Sequence, residues 1–518
     1  MKKIMCFLFC STIATIAWSQ ELHVASGGTL YVSSESYVYV DNDIDVNAAG
    51  NLIVNSDATN SGSLLVTGTA TGEISYQRYV SGEQWHFVSA PVTTQDIGTF
   101  ATNGANNVGI STTGNYGISF YKNDNAKGTR WQYYTVASGA LGADSAGDFI
   151  NGKGYSNYRD SDGLYTFKGG MATAGTGVAI TIPANSIPGA DTTSHLWSVV
   201  GNPYPSFLDA SALLSANLSN LDPSYAYLQV WDGSSYRPVN FASDSEYIAP
   251  GQGFMVDPAN NNVLFTFAES LQSEQKNATA TFYRAAEAPK VVVEMTNGQS
   301  ITKETTLKYF DTTTTGLDIG WDAGTYYDTD PTLSIDTHLI SDSEGINFTL
   351  QCLPSSDYES SIVPLSIRAA ASETLTFKAT ATGLPEGIEV YLEDKENQVI
   401  TNISTGSYEV TTAKSLQGIG RFYIYTTGSV LAVDDAVLTS SAINMYKTSN
   451  TNLRVTGIQD KGNASVIVYA IDGKQVLTSS FKVATVNDVA LPKNLTKGLY
   501  LVQLVSNGIK QTKKIIID

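Results

Sequence analysis

Four stretches close the chain from about Ile443 onward: Val466-Ile-Val-Tyr469, Asp472-Gly-Lys474, Gly498-Leu-Tyr-Leu-Val-Gln-Leu504 and Lys513-Lys-Ile-Ile-Ile-Asp518. The apolar runs are each long enough for one strand. The dipeptides Asp472-Gly473 and Asn507-Gly508 between them favour tight turns. The segment therefore reads as a small all-β module. Moving outward, the same grammar of short apolar runs and turn residues fills the rest of the chain. The expected fold class is all-β and multidomain, with a β-solenoid or meander, duplicated β units, a β-sandwich and a C-terminal β-sandwich.

Charge separates the last module from what precedes it. The chain has 518 residues and a net charge of -19. Residues 442–518 carry ten Lys/Arg against four Asp/Glu, a balance of +6, so that residues 20–441 hold -27. An acidic body of this kind argues against nucleic acid as a partner, because phosphate binding needs clustered Lys and Arg. It suits divalent cations, and calcium is the cofactor it admits.

The C-terminal motifs, in their order, resemble the type A C-terminal sorting domain of cargo for the type IX secretion system of Bacteroidetes. The resemblance rests on Tyr469 with Gly473-Lys474, on Leu491, on Gly498-x-Tyr500 and on Lys513-Lys514 with the isoleucines after them. Met445-Tyr-Lys-Thr-Ser449 stands where many members carry Pro-Asn-Pro. The resemblance implies export through the outer membrane to the cell surface or the medium. It also implies two partners, the type IX machinery and its sortase-like protease, with cleavage near residue 435.

Residues 1–19 have a basic start, an apolar middle, and small residues at Ala17 and Ser19 ahead of Gln20. This is the pattern of a secretory signal peptide cut between Ser19 and Gln20. No later stretch is apolar for the roughly 20 residues of a membrane-spanning helix. Cys6 and Cys10 fall inside the signal, leaving Cys352 alone, with no partner for a disulfide and the expected role of a small buried residue.

Residues 20–76 alternate apolar pairs with Gly, Ser, Asn and Asp. The pairs are Leu30/Val32, Val38/Val40, Ile44/Val46, Leu52/Val54, Leu64/Val66 and Ile74/Tyr76. Period-two spacing places both members of a pair on one face of a strand. Stacked solenoid coils and an antiparallel meander both satisfy this pattern. Asp41, Asp43 and Asp45 resemble the start of a calcium loop, without the Gly and distant Glu of an EF-hand.

Residues 77–285 read as a duplication, with copies at about 77–190 and 191–285. Trp85-x-x-Val88-x-x-Pro91 is echoed by Trp197-x-x-Val200-x-x-Pro203, Trp131 by Trp231, Gly152-Lys-Gly-Tyr155 by Gly251-Gln-Gly-Phe254, and Tyr165-Thr-Phe167 by Phe265-Thr-Phe267. A helix-like run follows each first landmark, from Gln95 to Phe100 and from Leu208 to Leu218. These motifs also look like a region common in uncharacterised surface proteins of the same bacteria. Neither Gly-x-Gly reaches the third glycine of a dinucleotide loop. Asn202-Pro-Tyr-Pro205 reads as a rigid turn suited to a cis peptide bond. Residues 286–428 suit a sandwich, with acids at Asp311, Asp318, Asp322, Asp328 and Asp330, of which Asp328 and Asp330 join the calcium candidates. Residues 429–441 read as a linker.

No Gly-x-Ser-x-Gly elbow, His-Glu-x-x-His helix or phosphate loop is present, and no catalytic residue is assigned. His23, His86, His195 and His338 are scattered. Two functions stay open. The favoured one is a non-catalytic surface protein that binds glycans or surface proteins, with tyrosines and tryptophans as stacking platforms, or that builds a surface layer. The other is a secreted glycan- or protein-degrading hydrolase whose carboxylates meet only in space.

Overall fold

The computed structural model describes residues 18–19, 21–123, 125, 128–172, 177–182, 197–243, 246–274, 288–298, 301–327, 331–359, 361–428, 443–458, 462–507 and 509–517. Strand makes up 52% of the structure and helix 7%, so the architecture is all-β.

The N-terminal segment is a solenoid, because its strands pair in parallel. Leu22–Val24, Ile44–Val46 and Ala70–Gly72 form one sheet. Leu30–Val32, Leu52–Asn55 and Ile74–Val80 form the second. Trp18–Ser19, Tyr37–Val40 and Ser63–Val66 form the third. Apolar side chains stack in register, Leu30 on Leu52, Val54 on Tyr76 and Val38 on Leu64. Val32, Val40, Leu52, Val54, Leu64 and Tyr76 are all buried in one apolar interior. The strand Ile74–Val80 is both the last parallel strand of its sheet and the antiparallel partner of Gly163–Gly169 over seven residue pairs. One core thus runs from the solenoid into the next unit, from Val24 to Phe167.

Two four-stranded antiparallel sheets follow, with the same strand order. In the first, Trp85–Val88, Tyr155–Tyr158, Asn115–Tyr121 and Trp131–Thr135 lie side by side. In the second, Ser198–Gly201, Gly253–Val256, Leu228–Trp231 and Tyr236–Val239 do so. Each is accompanied by a short helix capped by an aspartate, Ile97–Thr102 by Asp96 and Ala210–Asn217 by Asp209, whose carboxylate satisfies a free N–H of the first turn. The sheets meet reciprocally. Val88 bridges to Gln252 and Lys153 to Val200. Ser89 N donates to Gly251 O at 2.9 Å, and Gly201 N to Gly152 O at 2.9 Å. Gly152 and Gly251 both have positive φ, +78° and +67°, so each can turn its carbonyl into this contact. A side chain on Gly154 would come within 2.6 Å of Val200 O across the same interface. The Asn202-to-Pro205 turn contains no cis bond, and none occurs among the described residues. Its rigidity comes from Asn202, whose Nδ2 donates to Ser206 O at 2.7 Å while its Oδ1 accepts from Tyr204 N at 3.0 Å.

The third body is an 11-stranded sheet bent around one core. Phe377 in Thr374–Thr382 and Phe422 in Leu416–Thr427 meet across it with centroids 5.0 Å apart, which makes the body a two-layer sandwich. Ile403 joins the layers at one side, accepting from Ala379 N at 2.8 Å and donating to Val390 O at 2.9 Å. The C-terminal module has its own core between a three-stranded sheet (Asn444–Ser449, Asn452–Thr456, Val486–Ala490) and a four-stranded one (Asn463–Ala470, Gln475–Lys482, Gly498–Ser506, Ile509–Ile517). The linker expected at 429–441 lies outside the described residues.

The module rests on the sandwich through a small seat. Tyr446 packs beside His338 (centroids 5.5 Å) and over Gly345, where any side chain would strike the tyrosine ring. Arg454 donates to Gln417 O and Lys513 to Ser343 O. His338 is buried, with Nε2 2.8 Å from Asn347 Oδ1 and Nδ1 3.4 Å from Ser343 Oγ. Burial lowers its pKa to about 4, the Asn347 hydrogen bond opposing and the Arg454 charge assisting. The unfolded imidazole takes up its proton near pH 6.5 and the folded one near 4. Stability from this group is therefore complete above pH 6.5 and falls as the medium is acidified, by roughly 3 kcal/mol between pH 7 and 4. Urea unfolding at the two pH values should show this increment in the wild type and its loss in His338→Gln; equal acid sensitivity in both proteins would refute it.

Candidate ligand-binding cleft

Between the second unit and the sandwich lies a cleft of about 580 Å³ whose walls include Tyr236, Ile301, Glu304, Tyr326, Tyr327 and Asp336. Tyr236 opens the strand that returns from the tight turn at Asp232, where one carboxylate oxygen accepts from Ser234 N and Ser235 N at 2.8 Å each. Tyr326 and Tyr327 follow Ala323–Gly324, and Gly324 O accepts from the buried Tyr227 hydroxyl at 2.5 Å. A side chain at Gly324 would run into the ring of Tyr225 at 2.7 Å. Second unit and sandwich are thus locked together directly beneath the cleft.

The rings are held by other rings. Tyr326 stands edge-on to Trp197 and to Tyr236, at 5.0 Å in each case, and Tyr236 leans on Trp231 at 4.8 Å. Edge-to-face contacts of this kind fix ring orientation as well as adding cohesion. Tyr327 is fixed by charge instead, its hydroxyl donating to Asp336 Oδ2 at 2.5 Å while Thr325 Oγ1 donates to Oδ1 at 2.7 Å. Burial pushes the Asp336 carboxyl up to about 6, against the opposing hydrogen bonds from Tyr327 and Thr325.

Among the described residues, the acids singled out in the sequence lie elsewhere and have partners. Asp41 accepts from Tyr39 OH at 3.1 Å. Asp43 accepts from Thr69 N and Oγ1, both at 2.8 Å, and Asp45 contacts His23 Nδ1 at 2.8 Å and Thr71 Oγ1 at 2.5 Å. The Asp43 and Asp45 bonds tie neighbouring coils together, whereas the Asp41 bond stays within its own coil. Asp318 accepts from Thr314 N at 2.6 Å, and Asp322 accepts from Asp318 N at 2.8 Å and Cys352 N at 2.7 Å, so both brace their loop. Cys352 is buried. Asp328, Asp330 and His195 lie outside the described residues. Among the described residues, no three His, Cys, Asp or Glu side chains gather so as to hold a metal ion.

In the C-terminal module, Tyr469 is the next-to-last residue of the strand Asn463–Ala470, Gly473 takes φ +82° in the turn, and Lys474 N donates to Asp472 Oδ1 at 3.0 Å. Gly498 starts the strand that carries Tyr500, a buried ring whose hydroxyl donates to Thr496 O at 2.8 Å. Lys513 reaches the sandwich while Lys514 is exposed. Ser19 lies in a strand paired with Tyr39–Val40, and Gln20 is outside the described residues. Sequence reasoning missed Tyr326, Tyr327, Asp336 and Arg78. The only trace of the first three is the adjacent pair Tyr326-Tyr327 a few residues ahead of Pro331, and nothing local marks Arg78 except a charge within a strand.

A two-sheet module with this motif order defines cargo of the type IX secretion system, and residues 447–518 match the family described as secretion system C-terminal sorting domain. The protein is exported to the cell surface or secreted. Residues 8–242 and 224–425 match the family described as Domain of unknown function (DUF8693), and the chain belongs to that family. No curated protein matches the chain. No helix among the described residues is long and apolar enough to cross a membrane.

Proposed function

We propose that the exported body is a non-catalytic surface protein that binds glycans, with the tyrosine cleft as its site, and that it stays attached at the outer membrane. The observation that supports this is the immobilised set Tyr236, Tyr326 and Tyr327, flat rings held open to a cleft of saccharide size. Affinity electrophoresis of the full chain in a panel of polysaccharides, with calcium present, tests it. Retardation by a glycan should weaken about tenfold in Tyr326→Ala, the loss typical of a buried aromatic anchor. Retardation by none of the panel, or no effect of the substitution, would count against the reading.

A secreted hydrolase is the second reading, favoured by one observation: Asp336, with its raised pKa, and Glu304 line the same cleft. A carboxyl that keeps its proton near pH 6 suits a general acid. Turnover abolished by Asp336→Asn would establish it. The matching strand orders of the two sheets support a duplicated unit. Signal cleavage between Ser19 and Gln20, and a later cut near residue 435 by a sortase-like protease, complete the proposed export route; N-terminal and C-terminal sequencing of the secreted protein checks both.

A further inference from the structure

A second cleft, of about 300 Å³, opens where the solenoid and both units meet, and Ser61, Arg78, His86, Phe87, Trp231 and Gln252 line it. Arg78 lies in the strand Ile74–Val80 that the solenoid shares with the first unit. Its Nη1 donates to Ser61 Oγ at 3.0 Å, and among the described residues no carboxylate pairs with it. Burial lowers its pKa, with Tyr76 acting in the opposite direction. A guanidinium has five N–H donors and stays charged at any physiological pH. Arg78 is half-buried, so part of its fork stays open to the cleft, with one hydroxyl as its hydrogen-bond partner and donors left over for an anion.

The rest of the lining does not supply the missing charge. Asp57 is the acid in the wall, and its oxygens accept from the Ser34 hydroxyl and, at 2.8 Å each, from Thr59 N and Asn60 N. His86 Nε2 lies 2.9 Å from Ser81 O, an acceptor, so that nitrogen carries the proton. Burial lowers the pKa of the imidazole, partly offset by that hydrogen bond, and the Arg78 charge lowers it further. Trp231 Nε1 donates to Trp85 O at 2.8 Å, which locks the indole in the wall. Gln252 Oε1 accepts from Ala249 N at 2.9 Å, which orients its amide group.

A planar fork of donors matches a carboxylate bidentately. Aromatic rings beside hydroxyl and amide groups suit a pyranose, which has an apolar face and polar edges. We propose that this cleft binds a uronate residue of an acidic saccharide, with Arg78 as the anchor for its carboxylate. The proposal rests on the glycan-binding reading but uses a separate site, so the two are separable by experiment.

Calorimetric titration of the full chain with trigalacturonate, its methyl ester and sodium sulfate tests it. Trigalacturonate should bind, and the ester should bind at least about thirtyfold more weakly, as expected when a charge-assisted bidentate contact in a cleft is lost. Arg78→Met should weaken trigalacturonate binding by the same factor, whereas Tyr326→Ala should leave it unchanged. Loss of binding in Tyr326→Ala with none in Arg78→Met would overturn this site and keep the tyrosine cleft. No binding of trigalacturonate, or binding of sulfate only, would overturn the saccharide assignment. Thermal unfolding guards against a structural role: Arg78→Met should melt close to the wild type, since the half-buried side chain gives up one hydroxyl hydrogen bond and no ion pair among the described residues, and a marked drop would overturn the anchor role.

Discussion

Removal of residues 442–518 is expected to leave the protein folded in the periplasm, with none on the cell surface or in the medium. The expectation has two parts. The sorting domain has a core of its own, built from Met445, Leu453, Val466, Val468, Val502, Leu504 and their neighbours, and the sandwich core closes without any of them. Among the described residues the bodies meet at a seat around Tyr446, Arg454 and Lys513 and at Gly420, against which Val486 and Thr456 pack, and neither core depends on that seat. The truncated chain should therefore survive in the periplasm and be recovered there. Cell fractionation combined with protease accessibility on intact cells reads the outcome, and truncated protein on the surface would contradict it. Thermal unfolding of the truncated protein separates failed export from failed folding.

Asp394→Ala should destabilise the sandwich by about 3–5 kcal/mol, the usual cost of removing one partner from a buried ion pair. Asp394 is fully buried and receives Arg421 Nε at 3.0 Å and Nη2 at 2.8 Å, Tyr408 OH at 2.9 Å and Asn397 Nδ2 at 3.0 Å. Without it, the carboxylate left to Arg421 among the described residues is the half-exposed Glu396, at 2.7 Å. Burial alone would raise the Asp394 pKa, but the Arg421 and Tyr408 hydrogen bonds and the Arg421 charge outweigh it and hold the carboxyl below its usual value. Its contribution is thus present above the unfolded pKa near 4 and is lost as pH falls through the lower folded value. Chemical unfolding at pH 7 should show the full deficit, and at pH 3 a smaller one. A deficit under 1 kcal/mol at pH 7 would show that the pair does not matter to the fold.

The regular parts of the fold were legible because they repeat a local rule. Each inward pair from Leu30/Val32 to Ile74/Tyr76 sits on one strand face, as period two requires. The choice between solenoid and meander was not legible, for an identifiable reason. Ala70–Gly72 is a strand of the third coil yet has no bulky apolar residue, and its absence from the pattern hid the period. It is small by necessity, since a side chain on Gly72 would meet Val46 O at 1.8 Å. The sorting domain was legible because its landmarks are close in sequence. The clefts were not, because they join residues far apart: Ser61 with Gln252, and Tyr236 with Asp336. Acids such as Asp43, Asp45, Asp318 and Asp322 drew notice by clustering along the chain, and the fold uses them there as braces.

The parallel coils also set how far this protein can reach. Partners one coil apart, such as Leu30 and Leu52, are stacked at the strand spacing of about 4.8 Å. A further coil placed ahead of Leu22 would lengthen the molecule by that step while leaving the strand Ile74–Val80 in place. The turn that carries Ser61, and Arg78 beneath it, would stay where they are. Coil number is in this sense a ruler at the N-terminal tip, adjustable without disturbing either cleft or the seat of the sorting domain.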